Sequence, residues 1–175
     1  MKEVSPFQRK FCSASLLQLQ VDFVKHQVTA VKDLIRFVKY WSKECFQDYA
    51  APNVRLPSSY LLELLCVKVW EMAGRPSFMD KRKGLKAVMW LLITKKHQRV
   101  KGQKYYNPSK YPLSSTFRLF VQDPANPFND LCSDFDAPSW GKTRQVANMT
   151  LKMPLLKGLH TDHLCTRKNV LGYCS

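Results

Sequence analysis

Acidic side chains are scarce in this chain. Thirteen Asp and Glu stand against 28 Lys and Arg, a formal net charge of +15 over 175 residues. That imbalance excludes a self-neutralised surface and makes a polyanion the first partner to consider, nucleic acid being the commonest. Long apolar runs are missing too. The longest, Ala87 to Ile93, covers seven residues, against the ~20 that a membrane helix requires, so no membrane partner is expected. The N-terminal Met-Lys-Glu-Val-Ser-Pro carries no apolar signal segment, and Cys174 is the penultimate residue, which removes the prenylation pattern. The expected setting is cytoplasmic, with the nucleus as a second compartment. No two of the six cysteines form a C-x-x-C pair. Cys45 and Cys66 fall on apolar helix faces and read as small buried hydrophobes, and a domain this apolar needs no disulfide staples. Repeats and low-complexity tracts are absent.

What is present is a globular composition, 45% hydrophobic and 12% aromatic, enough for one domain with a real core. Apolar periodicity predicts a first helix from a Ser13 or Ser15 cap to about Lys25, and a second from about Thr29 to Phe46. A third, from Tyr60 to about Ala73 behind Pro57-Ser58-Ser59, is apolar on nearly every side and reads as the centre of a bundle. Gly74 and Pro76 stop it. A fourth is expected over Arg82 to Gln98 and a last one from about Ser139 to Met153. Phe117 to Val121 is a short strand candidate, Asp123-Pro124-Ala125-Asn126-Pro127 a turn segment, and Leu155 to Ser175 a loose tail.

The second helix carries the main functional signal. Lys32, Arg36, Lys39 and Lys43 are spaced by 4, 3 and 4 residues, so all four share one narrow face. The opposite arc holds Val31, Leu34, Ile35, Val38, Trp41 and Cys45. Like charges at these spacings repel by roughly 0.2–0.5 kcal/mol per pair, which an opposed anion relieves. The competing reading is a solvated face that serves solubility or an acidic protein partner.

Three ordered stretches resemble the C-terminal half of a 2'-5'-oligoadenylate synthase. They are Leu34-Ile35-Arg36-Phe37-Val38-Lys39-Tyr40-Trp41, Leu56-Pro57-Ser58-Ser59-Tyr60-Leu61-Leu62-Glu63-Leu64-Leu65, and Phe120-Val121-Gln122-Asp123-Pro124-Ala125-Asn126-Pro127. Trp140 stands where the family has a tryptophan opening its last helix. The likeness covers about Phe11 to Leu155. It implies a mainly α fold: a helical bundle with a short strand segment, the C-terminal lobe of a nucleotidyltransferase-type α+β protein. Residues 1–27 would be a remnant of the interlobe region with one helix, 28–155 the helical domain, and 156–175 an irregular tail.

The same resemblance implies an enzyme that double-stranded RNA activates to polymerise ATP, with Mg2+ held by three aspartates of an N-terminal lobe. This chain is expected to begin after the last of them, to bind no metal by itself and to hold no catalytic residue. An isolated lobe would also leave an apolar junction surface exposed, so poor solubility is expected. The family's RNA contacts map onto Lys25, Thr29, Lys32 and Arg36, while Gln27 and Ala30 replace basic residues. Tyr60 matches a tyrosine near the bound adenylate, Ser59 replaces the neighbouring glutamine, and Lys43 is the nearest substitute for an ATP-binding lysine that aligns near Phe46. Double-stranded RNA, and ATP shared with the absent lobe, are the expected partners. A synthase-like RNA binder without catalysis is the alternative.

Other patterns carry less. Asp134-Phe135-Asp136 is an Asp-x-Asp with no Gly-Ser turn before it and loop residues around it, so a catalytic role is not expected. His160, His163 and Cys165 resemble a metal cluster in a ragged tail. Asn148-Met149-Thr150 fits a glycosylation pattern inside a helix. Leu155-Leu156-Lys157 replaces the family's oligomerisation tripeptide.

Overall fold

The computed structural model describes residues 16–49, 52–94 and 121–159. Within them lie five α-helices: α1 (Leu17–Lys25), α2 (Thr29–Phe46), α3 (Ser59–Met72), α4 (Lys81–Ile93) and α5 (Ala137–Leu151). Single 3-10 turns follow α2 (Gln47–Tyr49) and α5 (Pro154–Leu156), and a hairpin of β1 (Gln122–Asp123) and β2 (Asn126–Asp130) precedes α5. The mainly helical architecture matches the expectation.

α3 is the bundle's centre. Leu61, Leu62, Leu64, Leu65, Cys66, Val67 and Val69 are all buried, which its all-round apolar sequence dictates. Ser58 caps it, its hydroxyl accepting the Leu61 N–H at 3.1 Å. α2 buries Val31, Leu34, Ile35, Val38, Trp41 and Phe46 against this centre, and Cys45 is only half-buried. The Trp41 indole donates to Thr150 Oγ1 at 3.0 Å, and that hydroxyl donates to the Val146 carbonyl at 2.9 Å, which ties α2 to α5.

α2 and α4 approach closely at Gly84, where any larger residue must displace the Leu34 side chain. A Cβ at Gly84 would lie 2.6 Å from Leu34 Cδ1 and 2.9 Å from its Cδ2, and Leu34 is fully buried. Gly84→Val is therefore expected to cost about 2 kcal/mol by overpacking, read as a lower urea midpoint. An unchanged midpoint would refute the contact.

Several boundaries differ from those expected. α1 starts at Leu17 with no side-chain cap, and the Ser13 and Ser15 candidates lie outside the described residues. α4 ends at Ile93 rather than Gln98. Thr94 is already extended, and its hydroxyl bonds the Trp90 and Leu91 carbonyls in place of further helix. Its N-terminus is capped by Asp80. Burial pushes that carboxyl up, but its bonds to the Arg82 side chain and to the Arg82 and Lys83 amides prevail and hold it below the usual carboxylate range.

The proline box is a hairpin rather than a bare turn. Gln122 pairs with Asp130 and Asp123 with Asn126, antiparallel, with an irregularity between them. Asp123 Oδ1 accepts the Ala125 N–H at 2.8 Å, so Pro124 and Ala125 form the turn and their neighbours pair. Of the strand expected at Phe117–Val121, only Val121 is described. The tail is partly packed: Leu156 is buried and Lys86 Nζ donates to the Leu159 carbonyl at 2.7 Å. His160, His163 and Cys165 lie outside the described residues. No helix among the described residues is long and apolar enough to cross a membrane.

Cys45, Cys66 and Cys132 are free thiols. Burial, reinforced by the Glu63 carboxylate, pushes the Cys66 thiol far up. Under native conditions Cys66 and Cys132 should resist iodoacetamide until denaturant is added, as peptide mass mapping would show. Labelling of Cys66 at the unfolded rate would contradict the packing of α3.

Candidate nucleic-acid and nucleotide site

The basic stripe lies on the outward face of α2, as its spacing requires. Arg36, Lys39 and Lys43 are exposed and Lys32 half-exposed. Two of the four already hold acids. Arg36 Nη1 meets Asp33 Oδ1 at 2.8 Å, one turn back, and Lys39 Nζ reaches across to Glu63 Oε1 of α3 at 2.9 Å. Lys32 and Lys43 have no ion-pair partner among the described residues. An exposed pair such as Arg36–Asp33 is worth about 0–1 kcal/mol, so a phosphate competes readily for the guanidinium.

Lys25 and Thr29 flank the bend between α1 and α2, and both are exposed. The bend is built by side chains folding back on α1. Gln27 Nε2 donates to the Phe23 carbonyl at 2.9 Å, and His26 Nδ1 lies 2.6 Å from the Asp22 carbonyl. Gln27, where the resemblance puts a basic residue, therefore serves the bend.

A cleft of about 300 Å³ opens between α1 and α3. Leu17, Val21 and Val24 line one side with Lys25; Ser59, Tyr60 and Glu63 line the other. The structure thus gathers Lys25 with Ser59 and Tyr60, residues that the sequence had divided between RNA and nucleotide. Lys43 is not a cleft residue. It stands one turn beyond Lys39, toward the C-terminal end of α2.

Tyr60 is fixed from behind. Its hydroxyl donates to Asp123 Oδ1 at 3.0 Å. Asp123 is fully buried and also accepts the Gln20 amide at 2.5 Å, the Asn129 amide at 3.1 Å and the Ala125 N–H at 2.8 Å. With its hydroxyl so engaged, Tyr60 offers the cleft its ring, which suits stacking on a planar base. Sequence reasoning missed Asp123, Gln20 and Glu63. Glu63 had a signal, since it follows Tyr60 by three residues and so shares its side of α3. Gln20 and Asp123 are 103 residues apart, and no local pattern joins them.

The Asp-x-Asp pair is structural. Asp136 caps α5, accepting the Ser139 N–H at 2.8 Å, and these Ser139 bonds hold its carboxyl below the usual range. Asp134 Oδ2 pairs with Arg55 Nη1 at 3.0 Å. The Arg55 N–H in turn donates to Ser139 Oγ at 2.9 Å, binding the α2–α3 loop to the start of α5. Trp140 is buried at the same place against Phe135, their rings 4.8 Å apart. Among the described residues no group of three His, Cys, Asp or Glu side chains could hold a metal ion.

The family described as 2'-5'-oligoadenylate synthetase 1, domain 2, C-terminus, matches residues 3–169. The chain belongs to the oligoadenylate synthase family. It is similar to 2'-5'-oligoadenylate synthase 1A of Mus musculus, 30% identical over 149 residues, which cover 81% of this chain and 40% of the relative. It is similar to human 2'-5'-oligoadenylate synthase 2, 33% identical over 147 residues, 79% of this chain and 20% of the relative. The inactive 2'-5'-oligoadenylate synthase 1B of Rattus norvegicus is 28% identical over 153 residues, 83% and 39% respectively. The chain therefore spans less than half the length of these synthases. The motif with Arg36 and Lys39, the segment opening α3 and the hairpin box all fall inside the matched region.

Proposed function

We infer that this synthase-family domain presents the α1–α2 bend and the outer face of α2 to double-stranded RNA and supplies one wall of an ATP site. One observation carries the reading. Lys25 borders the cleft that holds Ser59 and Tyr60, and the half-exposed Lys32 and exposed Arg36 continue from it along α2. RNA phosphates would meet Lys25, Thr29, Lys32 and Arg36, and adenine would lie on the Tyr60 ring, with Lys43 further out along the same helix. Such binding is salt-dependent and sequence-tolerant, and an A-form duplex is contacted through phosphates and 2'-hydroxyls.

In a complete family enzyme Mg2+ would be held by carboxylates of the N-terminal lobe, and the part proposed for this chain is binding rather than a metal-dependent step. ATP polymerisation in cytoplasmic antiviral defence is the activity proposed for a complete synthase of this kind. Similarity to the inactive rat synthase over most of the chain supports a second reading, an RNA-binding synthase-like protein without catalysis.

The test is fluorescence anisotropy of a labelled RNA duplex titrated at several salt concentrations. The logarithm of affinity should fall linearly with the logarithm of salt, and an ATP analogue should bind separately with a dependence on Tyr60. Absence of duplex binding at low salt would refute the RNA assignment.

A further inference from the structure

Phe78 is the most exposed large apolar side chain among the described residues, at 82%. It does not sit on an untethered loop. After α3, Gly74 (φ +82°) and Arg75 (φ +60°) turn the chain through left-handed backbone. The Arg75 N–H returns to the Trp70 carbonyl at 3.0 Å and the Trp70 indole donates to the Pro76 carbonyl at 2.9 Å. On the far side Asp80 caps α4, accepting the Arg82 N–H at 2.9 Å. Met79 is buried, so of two successive apolar residues one anchors the turn and the other is displayed.

Cations flank the displayed ring along the chain. Arg75, Lys81, Arg82 and Lys83 are all exposed. Asp80 pairs with Arg82 at 3.3 Å and Glu71 with Arg75 at 3.6 Å, while Lys81 and Lys83 have no ion-pair partner among the described residues. Trp90, 41% exposed, follows Lys83 by seven residues, two helical turns along the same side of α4.

We propose that the α3–α4 turn and this side of α4 dock on the surface of an anionic lipid bilayer. Phe78 would enter the boundary between headgroups and acyl chains, Lys81 next to the turn and Lys83 on the Trp90 side of α4 would face lipid phosphates, and Trp90 would lie at headgroup depth. A rigidly presented apolar ring set among lysines and backed by an exposed tryptophan is what an interfacial contact uses. An RNA duplex also offers phosphates, but its stacked bases provide no apolar layer for a ring projecting from a turn. Phe78 therefore separates the two partners. The short apolar runs exclude a membrane-spanning helix, whereas a surface contact requires none.

The test is sedimentation of the full 175-residue chain with vesicles of phosphatidylcholine, with and without phosphatidylserine. The chain should sediment with the anionic vesicles only, and less as salt rises. Phe78→Ala should weaken this roughly tenfold and Phe78→Trp should restore it. Lys81→Glu/Lys83→Glu should weaken it at least roughly 25-fold, about fivefold for each cation removed, with the added carboxylates repelled as well. Lys32→Glu/Arg36→Glu makes the same change in net charge and should have a much smaller effect. These positions are exposed, so the melting temperature should be unchanged. Three outcomes overturn the proposal: no binding to anionic vesicles, binding indifferent to Phe78→Ala, or equal loss from the two charge-matched reversals. Loss of duplex RNA affinity in Phe78→Ala would assign the patch to nucleic acid instead.

Discussion

Asp123→Ala is expected to lower the stability of the fold by about 3–5 kcal/mol, the largest single-site effect among the polar residues. The carboxylate is fully buried and accepts from Tyr60, Gln20, Asn129 and the Ala125 amide. Deleting it removes the acceptor those four donors share, one of them in a buried bond and three in part-buried ones. Each stranded group costs ~1–3 kcal/mol, and partial relaxation keeps the total below the plain sum. Domains of this size are stable by about 5–15 kcal/mol, so the variant should sit near the edge of folding. Urea denaturation followed by circular dichroism measures this. Tyr60→Phe removes one donor and should cost only about 1 kcal/mol. A loss below that level in Asp123→Ala would show that the carboxylate is not the junction of α1, α3 and the hairpin.

Lys32→Glu/Arg36→Glu is expected to reduce duplex RNA affinity roughly 10- to 100-fold and to lower the salt slope by about two. Both side chains point away from the core that Val31, Leu34 and Ile35 form, so stability should hardly change. Arg36 lies beside Asp33 at 2.8 Å, and the new glutamates would meet that acid as well as the RNA. Anisotropy titration and a thermal melt on the same samples separate a lost contact from a lost fold. Unchanged affinity in a folded variant would remove α2 from the interface.

How far the fold could be read from the chain depended on the range of the interaction. α2 was legible because its apolar and basic residues alternate with the helical period, and α3 because almost every position is apolar. The Ser58 cap followed from local hydroxyl chemistry. The hairpin was read as a turn because two prolines dominate Asp123–Pro127, and the pairing of Gln122 with Asp130 depends on tertiary company. The end of α4 was misplaced because Thr94 satisfies the last carbonyls by itself.

The site divides in the same way. Lys25, Ser59 and Tyr60 were legible by resemblance, yet their meeting at one cleft needed the packing of α1 on α3. Lys39 was read as one more member of the stripe. Its bond to Glu63 at 2.9 Å depends on the rotation of α3 against α2, which no spacing within one helix reports.

The tie between Gln20 and Asp123 spans 103 residues. On a ribosome, α1 and α3 would emerge long before the carboxylate that joins them, so the tyrosine's final orientation waits on the hairpin's synthesis. Long-range closure of this kind is slow compared with helix formation. A nascent chain stalled before Val121 would thus hold its helices without a set cleft, and the cleft would take its final shape among the last events of folding rather than with the bundle itself.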